Sequence, residues 1–251
     1  MTVDADEVMA GYQYVWLFWS LAFLAVFAAI YVFARRQRRQ MLLVGAATAP
    51  FGLTEPLFVP EYWAPPSLFD LAARTGFDLE SIIFTFSVGG IAAVLFNLVT
   101  SRESRAARIA AMHAYRSYHA LALATPAVVF LALVPLGWNP IYPALIAMAA
   151  GATATQLCRP DLLAKTLLGG LLFLVFYSVF LFGVRVTAPG YIEGVWNLPA
   201  LSGVMIAGIP LEEFLFGMAF GLYWAGIYEH LAASKTVPIA SEQRNAPAGE
   251  R

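Results

Sequence analysis

The chain has 251 residues, of which 60% are apolar and only 12% charged, and its mean hydropathy is +0.70. This composition excludes an ordinary soluble domain and indicates an all-α integral membrane protein. A single cysteine, Cys158, excludes an intramolecular disulfide and a cysteine metal cluster, and the formal net charge of −1 gives no reason to expect a nucleic acid as partner.

Seven apolar stretches predict about seven transmembrane helices. The acidic first dozen residues lack the pattern of a secretory signal, so the first stretch is expected to be retained as a helix. The predicted spans are Tyr14–Phe33, Met41–Phe58, Ser81–Val99, Ala120–Trp138, Ile141–Leu157, Leu163–Phe182 and Gly203–Tyr228.

The basic residues predict the orientation of these spans. Thirteen of the 15 Lys and Arg residues fall after the first, third, fifth and seventh spans, and only Arg74 and Arg185 fall on the other side. Because basic residues accumulate on the cytoplasmic side, the amino terminus is expected outside and the carboxyl terminus in the cytoplasm. A bacterial or archaeal cytoplasmic membrane is the expected location.

Acidic residues show the opposite distribution and cluster at the outer ends of two pairs of spans. The first cluster contains Glu55, Glu61, Asp70, Asp78 and Glu80, and the second contains Glu193, Glu212 and Glu213. Each cluster accompanies an outer loop rich in proline and aromatic residues. Trp63 precedes Glu80 by 17 positions and Trp196 precedes Glu212 by 16. A tryptophan alone is typical of the interfacial aromatic belt, but the matched spacing favours a shared site.

The same pattern predicts an internal duplication. Two three-helix repeats of the same orientation, residues 1–101 and 139–232, are joined by a cytoplasmic loop and a linking helix in residues 102–138. The loop between Ser101 and His119 is expected to form a short amphipathic helix on the inner surface, with His113 and His119 as interfacial side chains rather than ligands. Residues 233–251 are expected to be a disordered cytoplasmic tail.

Two adjacent carboxylates stand out in the last apolar stretch, in the segment Pro210-Leu211-Glu212-Glu213-Phe214-Leu215-Phe216-Gly217. An ionisable side chain at membrane depth is costly and usually has a function. A helix beginning at Ile206 would place Glu212 about 9 Å inside it. The alternative is that both carboxylates lie at the mouth of the helix and stabilise its N-terminal amides. The segment Asp78-Leu79-Glu80-Ser81 repeats part of this pattern 132 positions earlier.

Several membrane chemistries require residues that the chain lacks. A retinal Schiff base needs a lysine inside the last span, and a magnesium-dependent prenyltransferase needs paired membrane aspartates. His-Glu-X-X-His and Gly-X-Gly-X-X-Gly motifs are also absent from the sequence. The remaining functions are acid–base catalysis and ligand binding, and neither a metal site nor a cofactor is expected.

The segment from Pro210 to Phe216, preceded by Trp196 and an apolar hairpin, resembles the Pro-X-Glu-Glu signature of the lycopene cyclase domain family. These are small, flavin-free, membrane-embedded carotenoid cyclases, and the duplication is similar to their fused two-repeat form. The resemblance implies redox-neutral cyclisation of the acyclic end groups of lycopene or a related isoprenoid. The first repeat departs from the signature, because Asp78 stands in place of its proline and Ser81 in place of its second glutamate.

Such a reaction needs a neutral acid in an apolar site, and desolvation keeps a buried carboxylic acid neutral. Glu212 is the predicted proton donor, with Glu213 as its partner or the base and Glu80 with Asp78 as the counterpart pair. Aromatic faces would shield the cation. The predicted substrate-binding residues are Trp63, Tyr62, Trp196, Asn197, Tyr191, Glu61, Glu193 and Phe216.

The expected partners are the lipid bilayer, a hydrophobic polyene or isoprenoid substrate, and either a second copy of the chain or other carotenoid-pathway enzymes. Two other functions fit the sequence. The chain could bind or transport an isoprenoid or other lipid in an acidic outer cavity. It could also be a non-catalytic scaffold, which the altered first motif favours.

Overall fold

The computed structural model describes residues 11–106 and 116–239, and these residues form a helical bundle. The helices within this part of the chain are α1 (Val15–Phe33), α2 (Arg38–Thr48), α3 (Leu71–Thr75), α4 (Leu79–Val99), α5 (Arg116–Leu133), α6 (Ile141–Cys158), α7 (Leu163–Thr187), α8 (Tyr191–Val195), α9 (Leu211–Trp224) and α10 (Ile227–Leu231). Short strands form two antiparallel pairs, β1 (Arg102–Ala106) with β4 (Ser234–Pro238) and β2 (Met205–Ile206) with β3 (Ile209–Pro210).

The long helices pack as two groups of three. In the first group α4 packs against α1 and α2, and in the second group α9 packs against α6 and α7. Helix α4 also contacts α7 and α9, so it joins the two groups, whereas α5 packs on α6 at the edge of the bundle. The members of these groups are the helices that the predicted duplication would relate. The duplication itself stays a prediction.

Glycines allow close contacts between helices in each group. A methyl group added at Gly221 of α9 would lie 2.6 Å from the Cβ atom of Phe173 and 2.9 Å from the Cα atom of Gly170 on α7. A methyl group at Gly89 of α4 would lie 2.0 Å from the hydroxyl oxygen of Thr48 on α2. Small residues let helix backbones approach closely where no hydrophobic effect drives association in lipid. These contacts position the first turns of α4 and α9, which carry the carboxylates.

Five of the seven predicted spans coincide with helices long and apolar enough to cross a membrane: Val15–Phe33, Leu79–Val99, Tyr118–Leu136, Ile141–Cys158 and Pro160–Thr187. The second predicted span instead contains the 11-residue helix α2 and a 3-10 stretch, Ala49–Leu57. Pro50 and Pro56 lie in this stretch, and proline removes backbone donors that an α-helix needs. The seventh predicted span begins as the β2–β3 hairpin, so its helix α9 starts only at Leu211.

The β1–β4 pair corrects two predictions. Residues 234–238, expected to be part of a disordered tail, form a strand that pairs with Arg102–Ala106. The same pairing replaces the start of the amphipathic helix predicted between Ser101 and His119, because extended backbone at this point satisfies its hydrogen bonds with β4. His113 and residues 240–251, which carry the remainder of these predictions, lie outside the described residues.

A buried polar cluster connects the β1–β4 pair to both helix groups. We use this name for Gln40, Asn97, Ser104, Lys165 and Glu229. In the second group the Lys165 ammonium nitrogen lies 2.7 Å from Glu229 Oε1, and both side chains are buried. In the first group the Asn97 amide donates to Gln40 Oε1 at 3.0 Å. The Ser104 hydroxyl hydrogen-bonds with Gln40 and Glu229 and so bridges the two pairs.

Two histidines pack beside this cluster. The Nδ1 atoms of His119 and His230 are 3.2 Å apart, and both rings are buried. The expectation that His119 is an interfacial side chain is therefore wrong, because α10 covers it. Burial, with the positive charge of Arg159 and the neighbouring His119, lowers the pKa of His230 from 6.5 to about 4.

This lowered pKa predicts a pH-dependent stability. Between pH 6.5 and 4 the unfolded chain binds a proton at His230 that the folded protein does not, so the free energy of unfolding falls by about 3 kcal/mol as the pH drops through this window. Above pH 7 the contribution is fully present. Unfolding of the purified protein in detergent at several pH values measures the slope, which His230→Gln should reduce. An unchanged slope in that variant would assign the effect to other groups.

Candidate active site

The two predicted outer loops meet at their tryptophans. Trp63 and Trp196 form an antiparallel β-bridge, and the centroids of their rings are 5.4 Å apart. On one side the N–H of Ala64 donates to the carbonyl of Val195 at 2.9 Å, and on the other the N–H of Asn197 donates to the carbonyl of Tyr62 at 2.9 Å. The matched spacing of the two tryptophans thus corresponds to a direct contact between the two helix groups.

Glu213 lies buried beneath this contact, on the first turn of α9. Its Oε1 atom accepts hydrogen bonds from the Trp196 indole N–H at 2.8 Å and from the Tyr62 hydroxyl, and its Oε2 atom accepts one from the Tyr177 hydroxyl at 2.7 Å. Burial and the neighbouring charge of Glu213 raise the pKa of Tyr62, so this phenol keeps its proton. Donors from both loops and from α7 therefore converge on one carboxyl group.

Glu212 points to another side of α9, because adjacent helical residues are about 100° apart. Its Oε1 atom accepts hydrogen bonds from the Tyr142 hydroxyl at 2.9 Å and from the backbone N–H of Ser202 at 2.8 Å. Its Oε2 atom is buried and has no hydrogen-bond partner among the described residues. A protonated Oε2 would therefore present an unengaged O–H group.

The start of α9 corrects the predicted depth of this pair. A helix from Ile206 would have placed Glu212 two turns inside, but Ile206 belongs to the β2–β3 hairpin and the helix begins at Leu211. Both carboxylates thus lie on the first helical turn, as the alternative placed them. They remain buried there because the loop containing Ser202 contacts Glu212 and the side chains of Tyr62, Tyr177 and Trp196 contact Glu213.

The first helix group places Glu80 in a similar setting. Its Oε1 atom accepts a hydrogen bond from the backbone N–H of Leu68 at 2.7 Å, and its buried Oε2 atom is unpartnered within the described ranges. Asp78 is the N-cap of α4, and one of its oxygens accepts a hydrogen bond from the backbone N–H of Ser81. Burial raises the pKa of Asp78. This position gives Asp78 a structural role as the cap of α4.

Aromatic rings fill the interior between the two carboxylate positions. The ring centroids of Trp16 and Phe84 are 5.1 Å apart, those of Phe84 and Phe23 are 5.3 Å apart, and those of Phe23 and Phe180 are 4.5 Å apart. The ring centroid of Tyr177, whose hydroxyl donates to Glu213, lies 5.4 Å from that of Phe180. Such rings offer negative faces that stabilise a cation.

The other predicted substrate-binding residues divide into two sets. Phe216 and Tyr191 belong to the interior. The ring centroids of Phe216 and Tyr177 are 5.5 Å apart. Tyr191 is buried, and its hydroxyl has no hydrogen-bond partner in the described part of the chain. Glu193 lies at the surface, where its Oε1 atom is 3.3 Å from a guanidinium nitrogen of Arg185. The Asn197 amide donates to the backbone carbonyl of Glu61 at 3.0 Å, while the Glu61 side chain is exposed.

A cavity of about 430 Å³ opens beside Tyr142 and the loop that covers Glu212. It is lined by Leu57, Glu61, Phe130, Val134, Gly137, Trp138, Asn139, Pro140, Pro143 and Ala200. Pro143 follows Tyr142 in α6, and Ala200 precedes Ser202 by two positions, but the side chains of Tyr142, Ser202 and Glu212 are not part of the lining. The mostly apolar lining suits a hydrocarbon group.

Three polar residues of the site were not predicted as site residues. Tyr142 and Tyr177 lie within apolar spans and gave no sequence signal beyond a hydroxyl in a membrane helix. Glu55 was recognised only as one of the outer acids, yet its Oε2 atom accepts a hydrogen bond from the Ser81 hydroxyl at 3.0 Å. Residues 11–106 and 116–239 contain no group of three or more His, Cys, Asp or Glu arranged to hold a metal ion.

The fold and the site together define a helical membrane protein with carboxyl groups buried beside an aromatic interior. Residues 139–231 match the family model described as lycopene cyclase. The match confirms the family resemblance for the second helix group, which carries Glu212 and Glu213, and does not extend to the first. No curated protein matches the chain, and no solved structure does.

Proposed function

We propose that the protein cyclises the acyclic end groups of lycopene, or of a related carotenoid or isoprenoid, without a change of redox state. The observation that carries this proposal is the pair Glu212 and Glu213, buried on the first turn of α9 inside the segment that matches the lycopene cyclase family. A carboxylic acid in an apolar site is the group that protonates an alkene while water is kept away from the resulting cation.

The first step is proton transfer from Glu212 to the terminal double bond of the polyene. Its buried Oε2 atom is unpartnered in the described structure, whereas Oε1 is held by Tyr142 and Ser202. Fixing one oxygen and leaving the other free orients an O–H group toward the substrate. Protonation gives a tertiary cation at the penultimate carbon of the chain. The polyene end would approach through the cavity beside Tyr142.

The second step is ring closure. The neighbouring double bond attacks the tertiary cation, which forms one carbon–carbon bond and moves the positive charge into the new ring. Glu213 suits the role of counter-ion and base, because three donors stabilise its ionised form: Tyr62, Tyr177 and Trp196. Aromatic faces add about 0.5–2 kcal/mol each to the stabilisation of the cation.

The last step is loss of a proton from a ring carbon to Glu213, which leaves a ring double bond. Return of this proton to Glu212 restores the starting protonation states. One proton is added and one is removed, so the product has the mass of the substrate. The reaction is therefore an isomerisation that consumes no cofactor.

The proposal includes the arrangement in the membrane. The repeats span residues 1–101 and 139–232. The second crossing is formed by α2 and its 3-10 extension, and the seventh is formed by α9 with α10. The distribution of Lys and Arg supports an outer amino terminus and a cytoplasmic carboxyl terminus in a bacterial or archaeal membrane. A second copy of the chain or other carotenoid-pathway enzymes are the protein partners proposed.

The test is expression of the chain in a bacterium that accumulates lycopene, followed by chromatography and mass spectrometry of the extracted pigments. We expect a product of unchanged mass with altered retention and a blue-shifted absorption spectrum. Lycopene recovered unaltered, with the protein verified in the membrane, would contradict cyclisation of this substrate. That result would favour the binding or transport function, because a carrier returns its ligand unchanged.

A further inference from the structure

Ser81 occupies the position in the first helix group where the second group has Glu213. Sequence alignment of the two motifs therefore leaves the first group with one glutamate, Glu80, beside the capping residue Asp78. The structure supplies another carboxyl group at this point from a different element. Glu55, in the 3-10 stretch that continues α2, is buried, and its Oε2 atom accepts a hydrogen bond from the Ser81 hydroxyl at 3.0 Å.

The surroundings of Glu55 resemble those of Glu213. The Trp63 indole lies beside Glu55, as the Trp196 indole lies beside Glu213, and the two tryptophans are partners in the β-bridge. The neighbouring glutamates also correspond, because Glu80 accepts a hydrogen bond from a loop N–H at 2.7 Å and Glu212 accepts one at 2.8 Å. Each group thus combines a glutamate held by its loop with a glutamate next to its tryptophan.

Several polar atoms around Glu55 are buried and unpartnered within residues 11–106 and 116–239. They include Glu55 Oε1, Glu80 Oε2 and the Tyr191 hydroxyl. The carboxyl groups of Glu55 and Glu80 both act electrostatically on Tyr191, and the Trp16 indole faces the neighbouring Asp78. Buried polar groups are nearly always hydrogen-bonded in folded proteins. The free oxygens of Glu55 and Glu80 are therefore available to take up a proton or to contact a ligand.

We infer that Glu55 supplies the second carboxyl group of a site in the first helix group, in the role that Glu213 has in the second. Glu80 would protonate a polyene end there, and Glu55 would stabilise the cation and take the proton lost from the ring. The inference rests on the proposed cyclase function. It assigns the first group an active two-carboxyl site despite its altered motif.

The first experiment compares Glu55→Gln with Glu213→Gln in lycopene-accumulating cells. Glutamine keeps the shape of the side chain but cannot accept or return a proton, so each change should inactivate one of the two sites and leave about half of the initial rate of ring formation. The double variant Glu55→Gln with Glu213→Gln should lower this rate at least about tenfold. Asp70→Asn is the matched control, because this outer acid is exposed and its carboxylate lies 4.0 Å from the Arg74 guanidinium. Wild-type ring formation by Glu55→Gln, at an equal amount of membrane protein, would overturn the inference.

The second experiment moves the carboxyl group back to the family position. In a chain whose second-group site is inactivated by Glu213→Gln, Glu55→Ser should be inactive. Adding Ser81→Glu to that chain should recover ring formation, because it exchanges two side chains in contact and keeps the composition of the first-group site. A purely structural role of Glu55 would not produce recovery at a different position. An exchange variant that inserts and unfolds like the wild type but stays inactive would contradict the inference.

A third comparison covers the case in which these variants do not accumulate. Glu55→Asp and Glu55→Asn are alike in size, and only the first retains a carboxyl group. With the second-group site inactivated by Glu213→Gln, activity in the aspartate variant alone supports the inference, and equal activity in both overturns it. The proposed function is tested separately by the unmodified chain: if it forms no ring, cyclisation itself is contradicted, whereas a cyclising wild type with an unaffected Glu55→Gln contradicts only the role of Glu55.

Discussion

In a chain whose first-group site is inactivated by Glu80→Gln, Glu212→Gln should reduce the remaining ring formation by at least about 100-fold while the protein still inserts and folds. The amide can keep the hydrogen bonds from Tyr142 and Ser202 at its oxygen, so the loop that covers the helix start stays in place. It has no acidic proton to transfer from the position of Oε2. Loss of activity with little loss of stability is the signature of a proton donor.

The measurement is the initial rate of product formation from lycopene in isolated membranes, normalised to the amount of protein. Asp70→Asn is again the control. Tyr62→Phe provides a graded comparison, because it removes one of the three donors to Glu213 and leaves Glu212 untouched. We expect it to lower the rate less than Glu212→Gln does. Full activity of Glu212→Gln would refute its assignment as donor, and a large loss of stability would instead indicate a structural polar network.

Lys165→Met should lower the free energy of unfolding by about 3–5 kcal/mol, because it leaves the buried carboxylate of Glu229 without its cation. Lys165 and Glu229 are both almost inaccessible, and their charged atoms are 2.7 Å apart. The Ser104 and Thr236 hydroxyls still reach Glu229, but they carry no compensating charge. Equilibrium unfolding in detergent, followed by circular dichroism, measures the effect.

The first helix group suggests the matched control for this change. Gln40 and Asn97 form a neutral amide pair at 3.0 Å beside the same Ser104 hydroxyl. The double variant Lys165→Gln with Glu229→Asn reproduces this pair in the second group, and we expect it to recover most of the stability that Lys165→Met loses. If both variants are equally unstable, the ion pair has a role that a neutral hydrogen-bonded pair cannot fill.

The buried carboxyl groups show how far local sequence leads. The adjacent glutamates, their resemblance to a family signature and the matched tryptophan spacing are properties of short segments, and the sequence predicted the site residues from them. The structure brings Trp63 and Trp196 into contact. The start of α9 was misplaced, because it depends on the hairpin formed by Met205–Ile206 and Ile209–Pro210 rather than on the apolar content of the segment.

Apolar length by itself determined that the chain has helices able to cross a membrane, since about 20 apolar residues suffice for a span. The sequence also showed which carboxylates lie within or next to these apolar stretches, where an ionised side chain is costly. Only the tertiary structure decided what each carboxylate contacts. Tyr62 reaches Glu213 across 151 positions and Ser81 reaches Glu55 across 26. Such contacts arise from the packing of helices on one another, which no local pattern of residues encodes.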